Sequence, residues 1–178
     1  MLNIPEYKEY GGETKIALMD NSSLAFMHEL SQRSYPSDGI LSVYDLILIP
    51  KWVMEEIEDS TYRSTYVEQL QAQGYPIRWI DETKYGAFVN DEDVNLYYIV
   101  EAAVSRVSEL MRFLRRKVKT EDLIDLPSAE EWMNRLYDEW PIHGRTLSTG
   151  RALKKNAGEI SLTILAEIFA WYHDEVDG

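Results

Sequence analysis

The chain has 178 residues, of which 45% are hydrophobic, and it carries a formal net charge of -13. This length suits one domain with a substantial core, and the composition is not that of a disordered chain. The absence of cysteine excludes disulfides, thiolate zinc sites and a cysteine nucleophile. The negative charge argues against binding nucleic acid through the whole surface, although it does not exclude local basic patches.

Three scattered histidines offer little for a metal site built on imidazole. A bound metal would therefore be held by oxygen ligands, which suit Mg²⁺ or Mn²⁺. Residues 1–14 are polar, and no apolar run in the sequence approaches the roughly 18 residues of a membrane span. We therefore expect a cytoplasmic protein.

Apolar runs of strand length occur at residues 15–19, 45–49 and 77–80, with a weaker one at 87–89. The first run ends just before Asp20, and an amphipathic stretch with Leu24 and Met27 at helical spacing follows it. Pro50 follows the second run, and the pattern after it predicts a helix to residue 70 with a break near residues 59–60. Strands that alternate with helices predict an α/β fold in three layers around a short parallel sheet.

The rest of the chain is predicted to be mainly helical. Steps of four and three between apolar residues predict a helix over residues 94–118. A capping-box pattern at residues 128–131 opens another helix, which ends before Pro141. We therefore expect a single domain over residues 1–178 with a mainly helical insertion at about residues 94–140. Residues 142–155 are predicted to form a polar loop. The predicted last helix starts at Asn156 and presents one face: Ile160, Ile164, Ile168 and Trp171.

Acidic residues lie where the predicted strands give way to helices. Asp20 directly follows the first strand, Glu55 and Glu56 lie one turn into the helix after the second, and Glu159 lies in the first turn of the last helix. In an open parallel sheet, ligands bind beyond the carboxyl ends of the strands. Crowded carboxylates repel unless a cation neutralises them. Mg²⁺ or Mn²⁺ held there could orient a water molecule and stabilise a phosphodiester transition state.

Three segments carry a resemblance to PIN-domain nucleases, in the order found in that family. Residues 15–24, Lys-Ile-Ala-Leu-Met-Asp-Asn-Ser-Ser-Leu, look like the family's opening strand with its terminal Asp. Residues 49–57, Ile-Pro-Lys-Trp-Val-Met-Glu-Glu-Ile, are similar to a second segment in which an acid precedes Leu or Ile, which indicates Glu56 rather than Glu55. Residues 157–162, Ala-Gly-Glu-Ile-Ser-Leu, look like a third, in which Gly-Glu opens a helix.

The resemblance implies a PIN-like fold and a metal-dependent ribonuclease, often a toxin of a toxin–antitoxin pair or an RNA-processing factor. Asp20, Glu56 and Glu159 would be its catalytic residues and would coordinate Mg²⁺ or Mn²⁺, while Ser22 would orient ligands or substrate. PIN domains usually continue into a further strand and a further Asp. Only Asp174 and Asp177 remain in this sequence to replace that acid. Without that strand, residues 15–19 would form an open sheet edge, which we expect residues 87–89 or a second subunit to cover.

Each acid also has a simpler interpretation. Asp20 is well placed to cap the first helix. Asn156 and Glu159 have the spacing of a capping box. Glu55 and Glu56 lie near a helix N-terminus, where the helix dipole favours acids in any case. The functional interpretation therefore depends on the coincidence of three sites.

The basic residues fall into two groups. The first group forms a basic stripe along one helix and is best interpreted as a face exposed to solvent: Arg112, Arg115, Arg116 and Lys119. The other precedes Glu159, where it would either approach RNA phosphates or belong to an ordinary polar loop: Arg145, Arg151, Lys154 and Lys155. His143 is given no role. Four aromatic residues could stack RNA bases, but at helical spacing such residues are more often in the core or an interface: Tyr97, Tyr98, Trp132 and Trp140.

Three hypotheses follow from the sequence. The first is a PIN-type ribonuclease that hydrolyses RNA with Mg²⁺ or Mn²⁺. The second is a catalytically inactive PIN-fold interaction or regulatory module, completed by a protein partner or a homodimer. The third is a mainly helical binding protein without a true sheet.

Overall fold

The computed structural model describes residues 2–35, 38–89, 93–118 and 127–173. It is an α/β structure with three parallel strands in the order β1-β2-β3, namely β1 (Ile16–Leu18), β2 (Leu46–Pro50) and β3 (Ile77–Ile80). Ile16 lies opposite Leu46 and Ile47 lies opposite Ile77 in the two parallel pairings. The three strands predicted at residues 15–19, 45–49 and 77–80 are confirmed, and so is their parallel arrangement. The hypothesis of a helical protein without a sheet is therefore wrong.

Helices and a small antiparallel hairpin surround the sheet. The described helices are α1 (Asn21–Gln32), α2 (Asp38–Leu41), α3 (Lys51–Glu58), α4 (Thr61–Ala72), a 3₁₀ helix (Glu82–Phe88), α5 (Asp93–Val104), α6 (Ser108–Val118), α7 (Ala129–Asp138) and α8 (Ala157–Tyr172). The hairpin joins β4 (His143–Thr146) to β5 (Ala152–Lys154). Within the described ranges, no helix is both long and apolar enough to pass through a membrane.

The central strand β2 is buried on both faces and divides the core into two parts. Leu46 and Leu48 contribute to a cluster with α5, α6, α7 and α8, while Ile47 and Ile49 contribute to a second cluster with α1, α3 and α4. Successive side chains of a strand point to opposite faces, and a parallel strand covered on both sides is apolar throughout. The unbroken apolar run of β2 is therefore what brings helices to both faces of the sheet.

The turn between α3 and α4 confirms the predicted break near residues 59–60. Pro50 ends β2 and is the N-cap residue of α3. The backbone N–H of Arg63 donates to Ser60 Oγ at 3.3 Å, so a new helix start is capped two residues after α3 ends. A serine cap of this kind satisfies a backbone donor that the first turn of a helix cannot bond internally.

Three predictions of secondary structure are wrong. Residues 87–89 form no strand, because Glu82–Phe88 is a 3₁₀ helix. The predicted helix over residues 94–118 is two helices, since the chain leaves helical geometry at residues 105–107. The predicted loop at residues 142–155 contains the β4–β5 hairpin, whose turn is aided by Gly150 at φ 85°. The β4 side chains are exposed, so the sequence has no apolar alternation that would predict this strand.

The aromatic predictions are mostly confirmed. Tyr97, Trp132 and Trp140 are buried in the core, whereas Tyr98 is exposed. Ile160, Ile164 and Ile168 of α8 are buried as predicted, but Trp171 at the end of that helix is 69% exposed. The stripe residues Arg112, Arg115 and Arg116 are exposed, as expected for a solvated face, and Lys119 lies outside the described residues, as do Asp174 and Asp177.

The two edges of the sheet differ. The N-terminal segment pairs with the outer edge of β3, where Tyr7 N–H donates to Trp79 O at 2.7 Å and Trp79 N–H donates to Pro5 O at 3.0 Å. In the described part of the chain, β1 pairs only with β2, so residues 87–89 do not cover its outer edge. Ile16 and Leu18 are half-buried there and line a groove of about 210 Å³ with residues of α8. Coverage of this edge by a second subunit stays a prediction.

Leu48→Ala tests the central role of β2. Leu48 is fully buried, and removing its side chain should lower the free energy of unfolding by about 2–5 kcal/mol through lost burial and a new cavity. Urea denaturation followed by circular dichroism measures this change. The control is Val43→Ala at an exposed position, which should change the free energy by less than about 0.5 kcal/mol. Equal effects would show that β2 is not central to stability.

Candidate functional site

An acidic cavity lies beyond the carboxyl ends of β1 and β2. The start of α1 follows β1, α3 follows β2 directly, and the first turn of α8 packs against α3. The cavity between them has a volume of about 170 Å³ and is lined by Asp20, Asn21, Ser22, Val53, Glu56, Asn156, Gly158 and Glu159. All three acids proposed from the sequence, together with Ser22, therefore line the same cavity.

Asp20 caps α1 at the edge of this cavity. Its Oδ1 accepts a hydrogen bond from the backbone N–H of Ser23 at 2.6 Å. The capping interpretation of Asp20 is therefore confirmed. The cap uses one carboxylate oxygen and leaves Oδ2 outside this hydrogen bond, so capping and a role in the cavity do not exclude each other.

Glu56 is a half-buried acid of the cavity. Burial raises the pKa of its carboxyl group above the usual value, and the nearby Asp20 carboxylate raises it further. Arg145, a hydrogen bond from the Asn21 side chain and Arg63 lower the same pKa. The Asp20 carboxylate therefore lies within electrostatic reach of Glu56, and repulsion between two carboxylates falls when a cation lies between them.

The first turn of α8 comes unusually close to α3. A Cβ atom added to Gly158 would lie 3.1 Å from Val53 Cγ2 and 3.7 Å from Glu56 Oε1, so glycine permits this approach. Asn156 has a left-handed backbone at φ 65° and makes no side-chain cap. The capping-box interpretation of Glu159 therefore lacks its N-cap hydrogen bond, and Glu159 itself is exposed at the cavity.

Two adjacent acids of α3 have different surroundings. Glu56 lines the cavity, whereas Glu55 Oε1 forms an ion pair with Arg151 of the hairpin at 2.8 Å. Asp59, just beyond α3, accepts the backbone N–H of Ser148 at 2.8 Å and lies 3.5 Å from Arg145 Nη1. The Ser148 hydrogen bonds, with Arg145 adding to them, lower the pKa of Asp59. These contacts hold the hairpin against α3.

None of the four basic residues proposed from the sequence lines the cavity. Arg151 pairs with Glu55, and the Lys154 ammonium donates to the carbonyl of Tyr137 and lies 4.0 Å from the centre of its ring. Lys155 is exposed. These three do not line the cavity, whereas Arg145 acts electrostatically on Glu56.

Two contributors to the cavity were not singled out from the sequence. Arg63 lies on α4, and its charge lowers the pKa of Glu56 across the α3–α4 turn. Asn21 follows Asp20, and its Oδ1 atom is buried without a hydrogen-bond partner in the described part of the chain. The break predicted near residues 59–60 would have folded α4 back on α3, but no motif in the sequence indicated which α4 side chain acts on Glu56.

The oxygen donors of the cavity are of the type that a hard cation prefers, but they are not spaced as a complete metal-binding cage. Carboxylate and amide oxygens are the ligands that Mg²⁺ and Mn²⁺ prefer, and the unpartnered Asn21 Oδ1 is such a donor. Among the described residues, however, no three His, Asp or Glu side chains are grouped so that they could hold a metal ion. Mg²⁺ in proteins commonly uses one or two carboxylates and keeps several waters. The cavity fits that arrangement, with Asp20 and Glu56 as the interacting pair, and does not form a three-acid cage.

Comparison with known proteins adds no relative, because no family model, curated protein or solved structure matches the chain. The functional argument therefore depends on the cavity itself.

Arg145→Gln tests the electrostatics of the cavity. Removing this positive charge should raise the pKa of Glu56 further, because Arg145 lowers it in the folded protein. Carbon-13 NMR titration of the Glu56 carboxyl group measures the shift. Arg151→Gln is the matched control on the same hairpin, since Arg151 pairs with Glu55. The same pKa of Glu56 in both variants would remove Arg145 from the site.

Proposed function

We propose that this protein is a metal-dependent ribonuclease of PIN type, with a PIN-like three-layer fold and a helical insertion at about residues 94–140. The observation that carries the proposal is the meeting of three acids, remote in sequence, at one cavity beyond the strand ends. Ligand sites in parallel α/β sheets occupy this position. The resemblance of the three segments that carry Asp20, Glu56 and Glu159 supports the same conclusion.

The proposed cofactor is Mg²⁺ or Mn²⁺, held by Asp20 and Glu56 with water and with Asn21 Oδ1 as a further oxygen donor. A bound cation of this kind would activate water and neutralise charge that develops on a phosphodiester. In the proposed hydrolysis, a water oxygen bonds to phosphorus, one phosphorus–oxygen ester bond of RNA breaks, and a proton lost by the water is taken up by the leaving ribose oxygen through solvent. Glu159 lies exposed at the rim, where it would contact the cation through water. A cytoplasmic location, expected from the sequence, suits an RNA substrate.

The chain's own groups would position the substrate. Ser22 lies at the start of α1, and the first turn of α8 also faces the cavity. Backbone N–H groups in the first turn of a helix attract phosphate oxygens. Arg145 is the hairpin residue that acts on Glu56, and we assign it to a phosphate next to the cleaved bond. Arg151, Lys154 and Lys155 would contact RNA outside the cavity.

Asp20→Asn separates the two roles of this residue. Asn is as good an N-cap as Asp, so α1 and the melting temperature should be nearly unchanged. The loss of a charged ligand should lower Mn²⁺-dependent cleavage of a labelled RNA by at least about 100-fold. Gel analysis with and without EDTA measures the cleavage. Full activity in this variant would exclude Asp20 from catalysis.

Glu56→Gln and Glu55→Gln form a matched pair on adjacent positions of α3. Glu56→Gln should abolish cleavage because Glu56 lines the cavity, whereas Glu55→Gln should retain most of it because Glu55 pairs with the hairpin. The same RNA assay measures both variants. Equal loss in the two would indicate a general effect on α3 rather than a ligand role for Glu56.

A second candidate function is a PIN-fold interaction or regulatory module that does not cleave RNA. Arg145 and Arg63 already offset the charge of Glu56, and among the described residues no three acids are grouped so that they could hold a metal ion. Both observations favour a cavity that is stable without a cation. The outer edge of β1 would then offer a surface for a protein partner or a second copy of the chain.

Mn²⁺ titration separates the two candidates. A ligand that binds only the native state stabilises it by about 2.7 kcal/mol at 100 times its dissociation constant, which corresponds to a rise of about 5–10 °C in melting temperature for this size. We expect such a rise for the wild-type chain and a much smaller one for Asp20→Asn. An unchanged melting temperature at millimolar Mn²⁺, without RNA cleavage, would favour the interaction module.

A further inference from the structure

Glu82 is a fully buried acid that is joined to two other elements. It opens the 3₁₀ helix after β3, and its side chain is 0% exposed. Its Oε1 accepts the backbone N–H of Trp52 at 2.9 Å and the hydroxyl of Ser161 at 2.7 Å. Charged residues are rarely buried in this way without specific partners. The partners of Glu82 therefore indicate what it does.

The first partner lies in α3. The first N–H groups of a helix have no acceptor within the helix, and Pro50, the N-cap of α3, makes no side-chain cap. Glu82, thirty positions from Trp52 in sequence, supplies the acceptor that Pro50 cannot. It therefore caps the helix that carries Glu56.

The second partner lies in α8. Ser161 is fully buried, two residues after Glu159, and its hydroxyl also hydrogen-bonds the phenol of Tyr85 at 2.8 Å. One carboxyl group thus joins the first turn of α3 to the beginning of α8. These are the two helices whose contact at Gly158 leaves no room for a side chain without displacement of Val53.

We propose that Glu82 is a positioning residue of the acidic cavity, which holds α3 against α8 and thereby sets the separation of Glu56 and Glu159. Its effect on metal binding and catalysis rests on the proposed function. Its effect on α3 does not, because the hydrogen bond to Trp52 can be observed without metal or RNA.

The protonation of Glu82 offers a direct signal. Burial raises its pKa to about 8, against the lowering effect of the Trp52 and Ser161 hydrogen bonds, and Asp81 raises it slightly. The neighbouring titratable groups are Asp81, which pairs with Lys51 at 3.7 Å, Tyr85, and Tyr137 of α7. The pKa of Glu82 is higher in the folded than in the unfolded protein. The stability contributed by its protonated carboxyl group is therefore complete below the unfolded pKa and is lost as the pH rises through about 8.

The first experiment follows the Trp52 amide by NMR without metal. In the wild-type chain, its chemical shift should titrate with a midpoint near pH 8, and in Glu82→Gln, which keeps an acceptor but cannot ionise, it should not. Glu82→Ala should speed Trp52 hydrogen exchange by about tenfold through the lost hydrogen bond. Tyr85→Phe is the control, since it removes only the far end of the network. A Trp52 amide that is insensitive to pH in the wild-type chain and to Glu82→Ala would overturn the proposal. If Glu82→Ala does not fold, the comparison of wild type with Glu82→Gln decides.

The second experiment measures the cavity in the same variants. Glu82→Ala should weaken Mn²⁺ binding by tenfold or more and lower kcat more than it raises KM, whereas Glu82→Gln should restore both toward wild type. Faster Trp52 exchange with unchanged Mn²⁺ affinity and kcat would make Glu82 a structural residue of α3 only and overturn the proposal.

If the wild-type chain itself neither binds Mn²⁺ nor cleaves RNA, the ribonuclease proposal fails, and the distance between spin labels on α3 and α8 decides the inference. Cysteines for such labels can be placed freely, because the chain has none of its own. A distance that is equal in wild type, Glu82→Gln and Glu82→Ala would overturn the positioning role.

Discussion

Burial of β2 on both faces is the constraint on which the rest of the structure depends. Its four aliphatic side chains divide between two core clusters, so helices must cover the sheet on both sides. Each fully buried aliphatic side chain contributes roughly 1.5–3 kcal/mol relative to exposure. The same strand ends at Pro50 and leads directly into α3. The element that organises the core therefore also fixes where Glu56 can lie, and the position of the cavity is a consequence of the core.

The cavity combines features that favour opposite charges. Asp20, Glu56 and Glu159 line it, while the starts of α1 and α8 face it with the positive ends of their helix dipoles. Arg145 and Arg63 offset part of the negative charge at Glu56, but burial still raises the pKa of that carboxyl group. The folded protein thus holds an acid whose ionised form is incompletely compensated. A hard cation would complete that compensation, and a phosphate could then approach the helix ends without meeting bare carboxylates.

The sequence predicted the parts of the fold in which apolar pattern and burial coincide. The runs at residues 15–19, 45–49 and 77–80 are mainly apolar, and their apolar residues are buried or half-buried, so their strands could be located. The β4–β5 hairpin could not, because the β4 side chains are exposed and carry no alternation. Residues 87–89 resemble a strand in composition, yet they bury Phe88 and Val89 from a 3₁₀ helix and the turn after it. Burial was predictable there, but the backbone conformation that achieves it was not.

The site was predictable to the same extent and for a related reason. Acids that follow parallel strands converge because the carboxyl ends of these strands lie at one edge of the sheet, so Asp20 and the acids of α3 could be grouped from their positions. The choice of Glu56 over Glu55 and the support for Glu159 came from the resemblance of their segments to PIN domains. The groups that hold those acids could not, because they come from elements whose placement depends on the finished fold. Arg145 lowers the pKa of Glu56 from a hairpin that was predicted as a loop, and Glu82 contacts α3 from a segment with no motif. A charged residue in such a segment is expected at the surface. Glu82 gains its role only from its burial against the start of α3. That start needs a cap from elsewhere because Pro50, which ends β2, has no side chain that can accept a hydrogen bond.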